Sequence, residues 1–282
     1  MIRKPAVAGY FYERKKEKLL EQIKSCFLKG VGELPRVRKG KGKIKGIVVP
    51  HAGYEYSGYV AAHAYYEIAK EFPEKFIILG TYHYRPGLPF SKSPAAISTK
   101  GEWETPLGIA KIDEDAKEFC KGVIKDDEMV HKYEHSIEVQ LPFLQFINQD
   151  FTFIPICLSL HTYEVAKEVG EIISKAEDAV IIASTDFSHE EFFKMPSKED
   201  IKREVEDKDK MAIEKIIEID AKGFIRIVDK EKITVCDPGG VAAMLEAVKK
   251  QGASKARLLK YATSYDVEPG TYCVGYAAIV IE

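Results

Sequence analysis

Three short apolar runs along the chain each lead into a residue type that can carry out chemistry. The run at residues 47–49 leads to His51, and the run at 76–80 leads to His83. The run at 179–183 leads to Asp186 and His189. Continuous apolar runs of this length are typical of strands buried on both faces of a parallel sheet, and open α/β sheets bind ligands beyond the carboxyl ends of such strands. If the three strands are neighbours, three histidines and one aspartate meet at one edge of the sheet.

Segments with apolar residues at helical spacing alternate with these runs. Helices are predicted over residues 13–30, 60–72, 113–123, 134–146, 163–176 and 198–219, and from Gly239 to about Lys250. Further strands are predicted within 94–112 and over 151–160, 255–264 and 272–281. Alternation of strands and helices is the signature of βαβ units. We therefore predict an α/β fold with a mostly parallel central sheet flanked by helices.

The chain is predicted to form a single domain over residues 1–282. Its 282 residues, 45% of them hydrophobic, suffice for one large core, and no linker rich in Pro, Ser or Gly divides them. The 42 basic and 44 acidic residues give a formal net charge of −2, so nucleic acid is not an expected partner. One asparagine and five glutamines among many lysines, glutamates and isoleucines resemble the composition of thermophilic proteins.

The amino terminus and the cysteines indicate the compartment. Residues 1–9 lead to a tyrosine and a charged run before any long apolar core, unlike a signal peptide, and no apolar run approaches the ~20 residues of a membrane-spanning helix. Five widely spaced cysteines suggest no disulfide framework, and without a CxxC pair they suggest no zinc ribbon. We expect a cytoplasmic protein that does not insert into a membrane.

Position along the chain separates the seven histidines. His51 and His83 follow strands closely, and neutral imidazoles from separate strand ends can converge on a metal ion without any local spacing motif. The same positions suit structural or hydrogen-bonding histidines, so the pattern alone leaves both roles open. We predict that His63 lies on a helix, His131 in a strand and His161 in a loop. Each is expected to have its hydrogen bonds satisfied within the protein or to lie at the surface.

Two further segments offer acid and base groups. Asp186 and His189 lie three residues apart just past a predicted strand, where a carboxylate can fix the tautomer of an imidazole that acts as general acid or base. His135 lies beside two glutamates in the segment 134–138, at the start of a predicted helix. That segment is either a second candidate set or a helix cap, in which a polar side chain accepts from free backbone N–H groups.

Cys236 differs from the other cysteines because it precedes an Asp-Pro-Gly-Gly turn at a predicted helix start. Backbone N–H groups and the helix dipole favour a thiolate there, and a thiolate can ligate a metal or act as a nucleophile. A packed thiol at a turn is the alternative. The remaining four cysteines fall within helix or strand patterns and are predicted to be core residues.

A set of short motifs extends over nearly the whole chain. They are Ala8-Gly9-x-Phe11-Tyr12, Val49-Pro50-His51-Ala52-Gly53-Tyr54, Leu79-Gly80-x-x-His83, Glu134-His135-Ser136-x-Glu138, Ser184-x-Asp186-Phe187-x-His189, Val235-Cys236-x-x-Gly239 and Ser264-Tyr265-x-Val267. In this order they resemble the motifs of the Memo family, which includes protein B of the AmmeMemoRadiSam system. Together the motifs are specific, although each alone is weak.

Memo proteins resemble the class III extradiol dioxygenases in fold and in the location of the site, so the resemblance implies an extradiol dioxygenase-like fold. In those enzymes two histidines and a glutamate hold Fe(II). Carried over to this chain, His51 and His83 are the nitrogen ligands, and Cys236 takes the place of the carboxylate. The resemblance also implies that His189 is the acid/base group, with Asp186 beside it, and that His135 lies near the ligands. Tyr54 and Glu138 are implied to contact the substrate.

The resemblance implies a metal-dependent, dioxygenase-like oxidoreductase with Fe(II) as the expected ion and a small aromatic or phenolic substrate. A thiolate is softer than a carboxylate, so Cys236 shifts the preference toward copper or zinc. The alternative is a non-catalytic binding module that uses the same pocket for a phosphotyrosine-type peptide or for metal sequestration. A zinc hydrolase would share the ligands. The resemblance also implies a functional link to radical-SAM and AMMECR-type proteins.

Overall fold

Twelve strands form one sheet among residues 2–40, 42–83, 93–191 and 197–282, the parts of the chain that the computed structural model describes. Their bounds are β1 (Ile2–Arg3), β2 (Gly46–Val49), β3 (Lys75–Thr81), β4 (Ala95–Ile97), β5 (Glu102–Thr105), β6 (Gly108–Ile112), β7 (Ile124–Asp126), β8 (Thr152–Leu158), β9 (Ala179–Ser184), β10 (His189–Glu191), β11 (Ala256–Thr263) and β12 (Tyr272–Ile281). The sheet is mixed, with its antiparallel pairs outside the centre.

Eight α-helices occur in the same described ranges. They are α1 (Lys16–Gly30), α2 (Tyr54–Ala69), α3 (Glu128–His131), α4 (Leu141–Ile147), α5 (Tyr163–Ile173), α6 (Lys198–Ile217), α7 (Ala221–Glu231) and α8 (Pro238–Lys250). Side-chain oxygens accept from free N–H groups at the starts of five of them, through Asp127, Thr162, Ser197, Asp220 and Asp237. None of the described helices is both long and apolar enough to cross a lipid bilayer.

The centre of the sheet consists of four parallel strands in the order β8-β3-β9-β2. Nearly all of their residues are buried, as expected for parallel strands that are covered on both faces. The strands β2, β3 and β9 are those predicted to deliver polar residues, and they are neighbours. Their carboxyl ends therefore lie at the same edge of the sheet.

Two pairs of helices cover these strands. α1 packs on α2, which contacts β2 and β12, and α5 packs on α8, which contacts β2, β3 and β9. The side chains between the layers form one large buried cluster. The predicted α/β domain, with a mostly parallel central sheet flanked by helices, is confirmed.

Several helical segments differ from the prediction, and of the helix predicted over 113–123 only a 3-10 helix, Glu114–Phe119, is formed. α2 begins at Tyr54, directly after Gly53, rather than near residue 60. Polar residues and a glycine interrupt the apolar spacing over 55–58, but Tyr54 and Gly58 are buried against the rest of the core, and tertiary packing overrides weak local propensity. α7 lies where no helix was predicted, although Asp220 caps its start. The early start of α2 brings a helix terminus close to His51.

The contact between α1 and α2 leaves no room for a side chain at Gly30. A Cβ on this residue, the last of α1, would lie 2.2 Å from the carbonyl oxygen of Tyr59. We expect Gly30→Ala to lower the free energy of unfolding by about 1–3 kcal/mol, because the obstacle is backbone and the two helices must separate. Urea unfolding measures the change. The control is Gly270→Ala, where no described atom lies within 4 Å of a Cβ, and equal stability of the two variants would contradict this close packing.

Candidate metal centre

The imidazoles of His51, His83 and His135 cluster at the carboxyl edge of the central strands. Their ring centroids lie 5.1 Å apart for His51 and His83, 5.4 Å for His51 and His135, and 4.5 Å for His83 and His135. His51 follows β2 and His83 follows β3, as the strand pattern predicted. His135 comes from the segment before α4, and the family resemblance implied that it lies near the ligands without being one of them.

In the part of the chain that the structure describes, two groups of potential metal ligands share His51. One consists of His51, His83 and His135, and the other of His51, Asp186 and Cys236. Within each group the ligand atoms lie within 4.8 Å of one another. The predicted ligand set, two histidines and Cys236, is therefore divided between two adjoining groups.

The ring of His51 is fixed in the tautomer that leaves Nε2 free. Its Nδ1 atom lies 3.1 Å from the carbonyl oxygen of Ser184, which can only accept, so Nδ1 carries the proton. His51 is 1% exposed, and none of the described residues forms a hydrogen bond with its Nε2. Burial, and to a lesser degree the charge of His83, lower the pKa of His51 to about 3. A neutral imidazole with a buried and unused lone pair fits a metal ligand.

Glu134 orients the ring of His83. Its carboxylate accepts from the backbone N–H of His83 at 2.7 Å and lies 2.9 Å from Nδ1 of the same residue, which leaves Nε2 available. Burial lowers the pKa of His83, but the hydrogen bond and charge of Glu134 outweigh it and raise that pKa. A carboxylate behind a ligating imidazole is a recurrent arrangement in metal sites, because it fixes the tautomer and makes the ring more basic.

The segment that carries Glu134 is a cap rather than the first turn of a helix. Glu134 also accepts from the backbone N–H groups of His135 and Ser136, at 2.7 and 2.8 Å, as the capping alternative for this motif requires. The predicted helix over 134–146 is therefore wrong in its first turns. A 3-10 turn covers Glu138–Gln140, and α4 begins only at Leu141, with Pro142 in its first turn.

His135 packs between the other imidazoles and Phe11, whose ring centroid lies 4.6 Å from its own. Its Nδ1 is buried and makes no hydrogen bond to the described part of the chain, although Glu134 Oε1 lies 3.3 Å away. Burial lowers the pKa of His135 to about 3, against the opposing charge of Glu134. His135 therefore stands among the potential ligands themselves rather than behind them.

The predicted pairing of Asp186 with His189 is wrong. Asp186 Oδ1 instead accepts from the backbone N–H groups of His51 and Ala52, at 2.8 and 3.3 Å, and Oδ2 lies 4.0 Å from Nε2 of His51. The Nδ1 atom of His189 is held by the carbonyl oxygen of Phe187, at 2.8 Å. Burial raises the pKa of Asp186, which is opposed mainly by the nearby charge of His189. Asp186 thus anchors the loop of His51, and a carbonyl fixes the tautomer of His189.

His189 lies next to Cys236, a member of the second ligand group. With the proton of His189 on Nδ1, its Nε2 can accept, and this atom lies 3.8 Å from Sγ of Cys236. The backbone N–H of Cys236 donates to the carbonyl oxygen of Asp186 at 3.0 Å. The acid/base candidate and the candidate thiol ligand are therefore adjacent.

The surroundings of Cys236 oppose the expected thiolate when no metal is bound. Burial raises the pKa of the thiol well above its usual value, and the charge of Asp186 raises it further. The start of α8 gives little help, because the carboxylate of Asp237 itself accepts from the free N–H of Gly240 at 2.8 Å. A negative cap at that helix terminus offsets the dipole that was expected to stabilise the thiolate.

Tyr54 and Glu138, predicted to contact substrate, are engaged inside the protein. The Tyr54 hydroxyl donates to the carbonyl oxygen of Val139 at 2.6 Å. Glu138 is fully buried and accepts from Arg3, the backbone of Ala6 and Val7, and the Tyr12 hydroxyl. Contact between a substrate and the Glu138 carboxylate would require displacement of these donors, so its observed role is structural.

The three remaining histidines lie outside both ligand groups. His63 is half-buried on α2, and His131 ends the short helix α3 rather than lying in a strand. In the loop after β8, His161 accepts from the backbone N–H of Gly239 at 3.3 Å and has Nε2 3.1 Å from Thr81 Oγ1. His161 is thus a satisfied histidine, as predicted.

Two polar residues that support the site were not predicted to do so. Ser184 and Gln140 form a buried network in which Gln140 Nε2 donates to Ser184 Oγ at 2.7 Å and to the carbonyl oxygen of Pro50 at 2.9 Å. Ser184 Oγ in turn donates to the carbonyl oxygen of Ser136 at 2.6 Å. The one signal in the sequence is a polar residue at the end of an otherwise apolar strand, at Ser184.

The fold and the site together define an α/β protein that gathers candidate metal ligands at the edge of a parallel sheet. The model of the Memo family, described as Memo-like protein, matches residues 3–280 of the chain. A MEMO1 family protein of Methanopyrus kandleri is 45% identical over 297 residues, which cover 99% of each chain. Another, of Thermotoga neapolitana, is 40% identical over the full length of both chains. The chain belongs to the Memo family, and its extradiol dioxygenase-like fold, expected from the motifs, is confirmed.

Proposed function

We propose that this chain binds a divalent metal ion through His51, His83 and Cys236, and that the centre oxidises a small aromatic or phenolic substrate. Fe(II) is the ion that we expect. The observation that carries the proposal is the Nε2 atom of His51, which is buried, holds a free lone pair and lies in both ligand groups. A buried polar atom without a partner is costly, and a metal ion would satisfy it.

The charges around the imidazoles favour a cation. The carboxylates of Glu134 and Asp186 are buried beside His83 and His51, respectively. Burial raises the pKa of Glu134, but the hydrogen bond and charge of His83 outweigh it and hold that pKa below its usual range. An ionised carboxylate behind the ligands offsets part of the charge of a divalent ion, which lowers the free energy of binding.

His189 is the residue that we assign to proton transfer. Its Nδ1–H is held by the Phe187 carbonyl, so its Nε2 is an acceptor, 3.8 Å from the Cys236 thiol at the candidate centre. When bound, iron supplies the one-electron chemistry with O₂ that side chains lack. Within this scheme Nε2 of His189 takes the hydroxyl proton of a phenolic substrate, and Asp186 keeps the His51 loop in place.

Oxygen consumption by anaerobically iron-loaded protein, measured across a panel of catechols, tests this function. We expect consumption with at least one catechol, and a rate about a hundredfold lower in His189→Ala at an unchanged iron content. His63→Ala, which removes a histidine outside the site, is the control. Consumption that His189→Ala leaves unchanged would remove the proton-transfer role. Iron uptake without any consumption would instead support a metal-binding module, and O₂-independent hydrolysis by zinc-loaded protein would support a hydrolase.

A further inference from the structure

Arg3 reaches inward from the short edge strand β1 and contacts three residues of the segment 131–138. Its Nε donates to the carbonyl oxygen of His131 at 2.7 Å, and its Nη2 donates to that of Glu134 at 2.6 Å. Its Nη1 donates to a carboxylate oxygen of Glu138, also at 2.7 Å. The guanidinium lies 4.1 Å from the ring centre of Trp103, and the side chain is only 9% exposed. A planar, multiply hydrogen-bonded arginine of this kind fixes both distance and direction.

The partner Glu138 ties the amino-terminal segment to the same place. One of its oxygens also accepts from the backbone of Ala6 at 2.7 Å. The other accepts from the backbone of Val7 at 3.1 Å and from the Tyr12 hydroxyl at 2.6 Å. A fully buried carboxylate with one cation and three further donors holds its surroundings in a single arrangement.

The segment clamped by Arg3 also determines the position of His83. Arg3 binds the backbone carbonyl of Glu134, and the side chain of the same Glu134 binds both the backbone N–H and Nδ1 of His83. One residue therefore separates the guanidinium from a candidate metal ligand. Because Glu134 also caps the N–H of His135, a shift of this segment would move both imidazoles.

We propose that Arg3 is a positioning residue of the metal centre, which fixes the ring of His83 through Glu134. The effect of Arg3 on metal affinity rests on the proposed function. The effect of Arg3 on the ring of His83 is expected without any metal. Arg3→Lys separates the two roles of the side chain. Lysine keeps a positive charge for Glu138, but its single ammonium cannot bind the carbonyls of His131 and Glu134 in a fixed fork.

Two measurements test the proposal. Imidazole ¹H–¹⁵N spectra of the metal-free protein, recorded at pH 9 to favour the neutral ring, report the tautomer of His83. We expect one Nδ1–H tautomer in wild type and a mixture in Arg3→Lys. Competition with a chromogenic chelator measures the affinity for Zn²⁺, which we expect to fall about 10–100-fold in the variant, the usual effect of losing a group that orients a ligand.

Arg14→Lys is the matched control, because Arg14 is exposed and, within the described part of the chain, its side chain donates only to the carbonyl oxygen of Ala8 in the same amino-terminal segment. An unchanged His83 tautomer together with unchanged Zn²⁺ affinity in Arg3→Lys would overturn the inference, as would equal losses in Arg14→Lys. Failure of wild type to bind any metal would instead overturn the proposed function, and the spectra would still decide the role of Arg3. If Arg3→Lys does not fold, Arg3→Gln combined with Glu138→Gln removes both buried charges and undergoes the same measurements.

Discussion

His51→Ala is expected to abolish metal binding by this protein. His51 is the residue shared by both groups of potential ligands, so its loss leaves each group with two members. Its Nε2 is buried and has no hydrogen-bond partner among the described residues, as expected for an atom reserved for a ligand. Loss of a residue that only orients a ligand typically weakens metal affinity about 10–100-fold, so we expect more than about a hundredfold weaker binding for this ligand.

Metal analysis of anaerobically purified and reloaded protein measures this effect, with His63→Ala as the control for loss of a histidine elsewhere. Cys236→Ser and His135→Ala then identify the third ligand. A large loss in Cys236→Ser with little change in His135→Ala would support the ligand set proposed above. The reverse result would assign the ion to three imidazoles. His51→Ala protein that binds metal as tightly as wild type would contradict a metal centre at this place.

The position of the site could be predicted because it depends on the strands. A buried parallel strand is a short, continuous apolar run, and the run is readable without knowledge of its neighbours. His51 and His83 follow such runs, and the structure places their strands on either side of β9. The convergence of the two imidazoles follows from this order, so the strongest sequence signal and the most important contact are the same feature.

The contacts around each side chain could not be predicted, because they depend on where a loop turns after its strand. Asp186 and His189 are three residues apart, yet Asp186 points to the backbone of His51, whereas His189 enters the short strand β10. That strand pairs with β12, and its pairing directs the imidazole toward Cys236. Sequence spacing beyond the end of a strand does not specify such a turn.

Glu138 shows the same limit for a charged residue. Its motif favoured a role at the site, but its partners Arg3, Ala6, Val7 and Tyr12 lie more than 120 positions away in sequence. A carboxylate buried by tertiary contacts has the same sequence signature as one that faces a ligand. Only the fold distinguishes a residue that builds the site from one that acts in it.

A further buried carboxylate, Asp209 of α6, supports the segment that carries His189. Its Oδ1 accepts from the backbone N–H of Ser188 at 2.9 Å, and its Oδ2 accepts from the Tyr261 hydroxyl at 2.7 Å. Burial raises the pKa of Asp209 to about 6, although these hydrogen bonds and the charge of His189 oppose the rise. None of the described residues forms an ion pair with Asp209, so hydrogen bonds compensate most of its charge.

We expect Asp209→Asn to stabilise the protein at neutral pH and to have little effect below about pH 4. The folded pKa of about 6 exceeds the ordinary value of 3.8, so the folded state binds the proton more tightly, and stability falls as the pH rises between these values. The difference between these two pKa values corresponds to a gain of about 3 kcal/mol in the free energy of unfolding above pH 6. The amide forms weaker hydrogen bonds than the carboxylate, which offsets part of this gain. Urea unfolding at pH 4 and pH 7.5 measures the change, with Asp207→Asn, an exposed position on the same helix, as the control. A variant that is less stable than wild type at pH 7.5 would show that the Asp209 carboxylate is worth more as a hydrogen-bond acceptor than its burial costs.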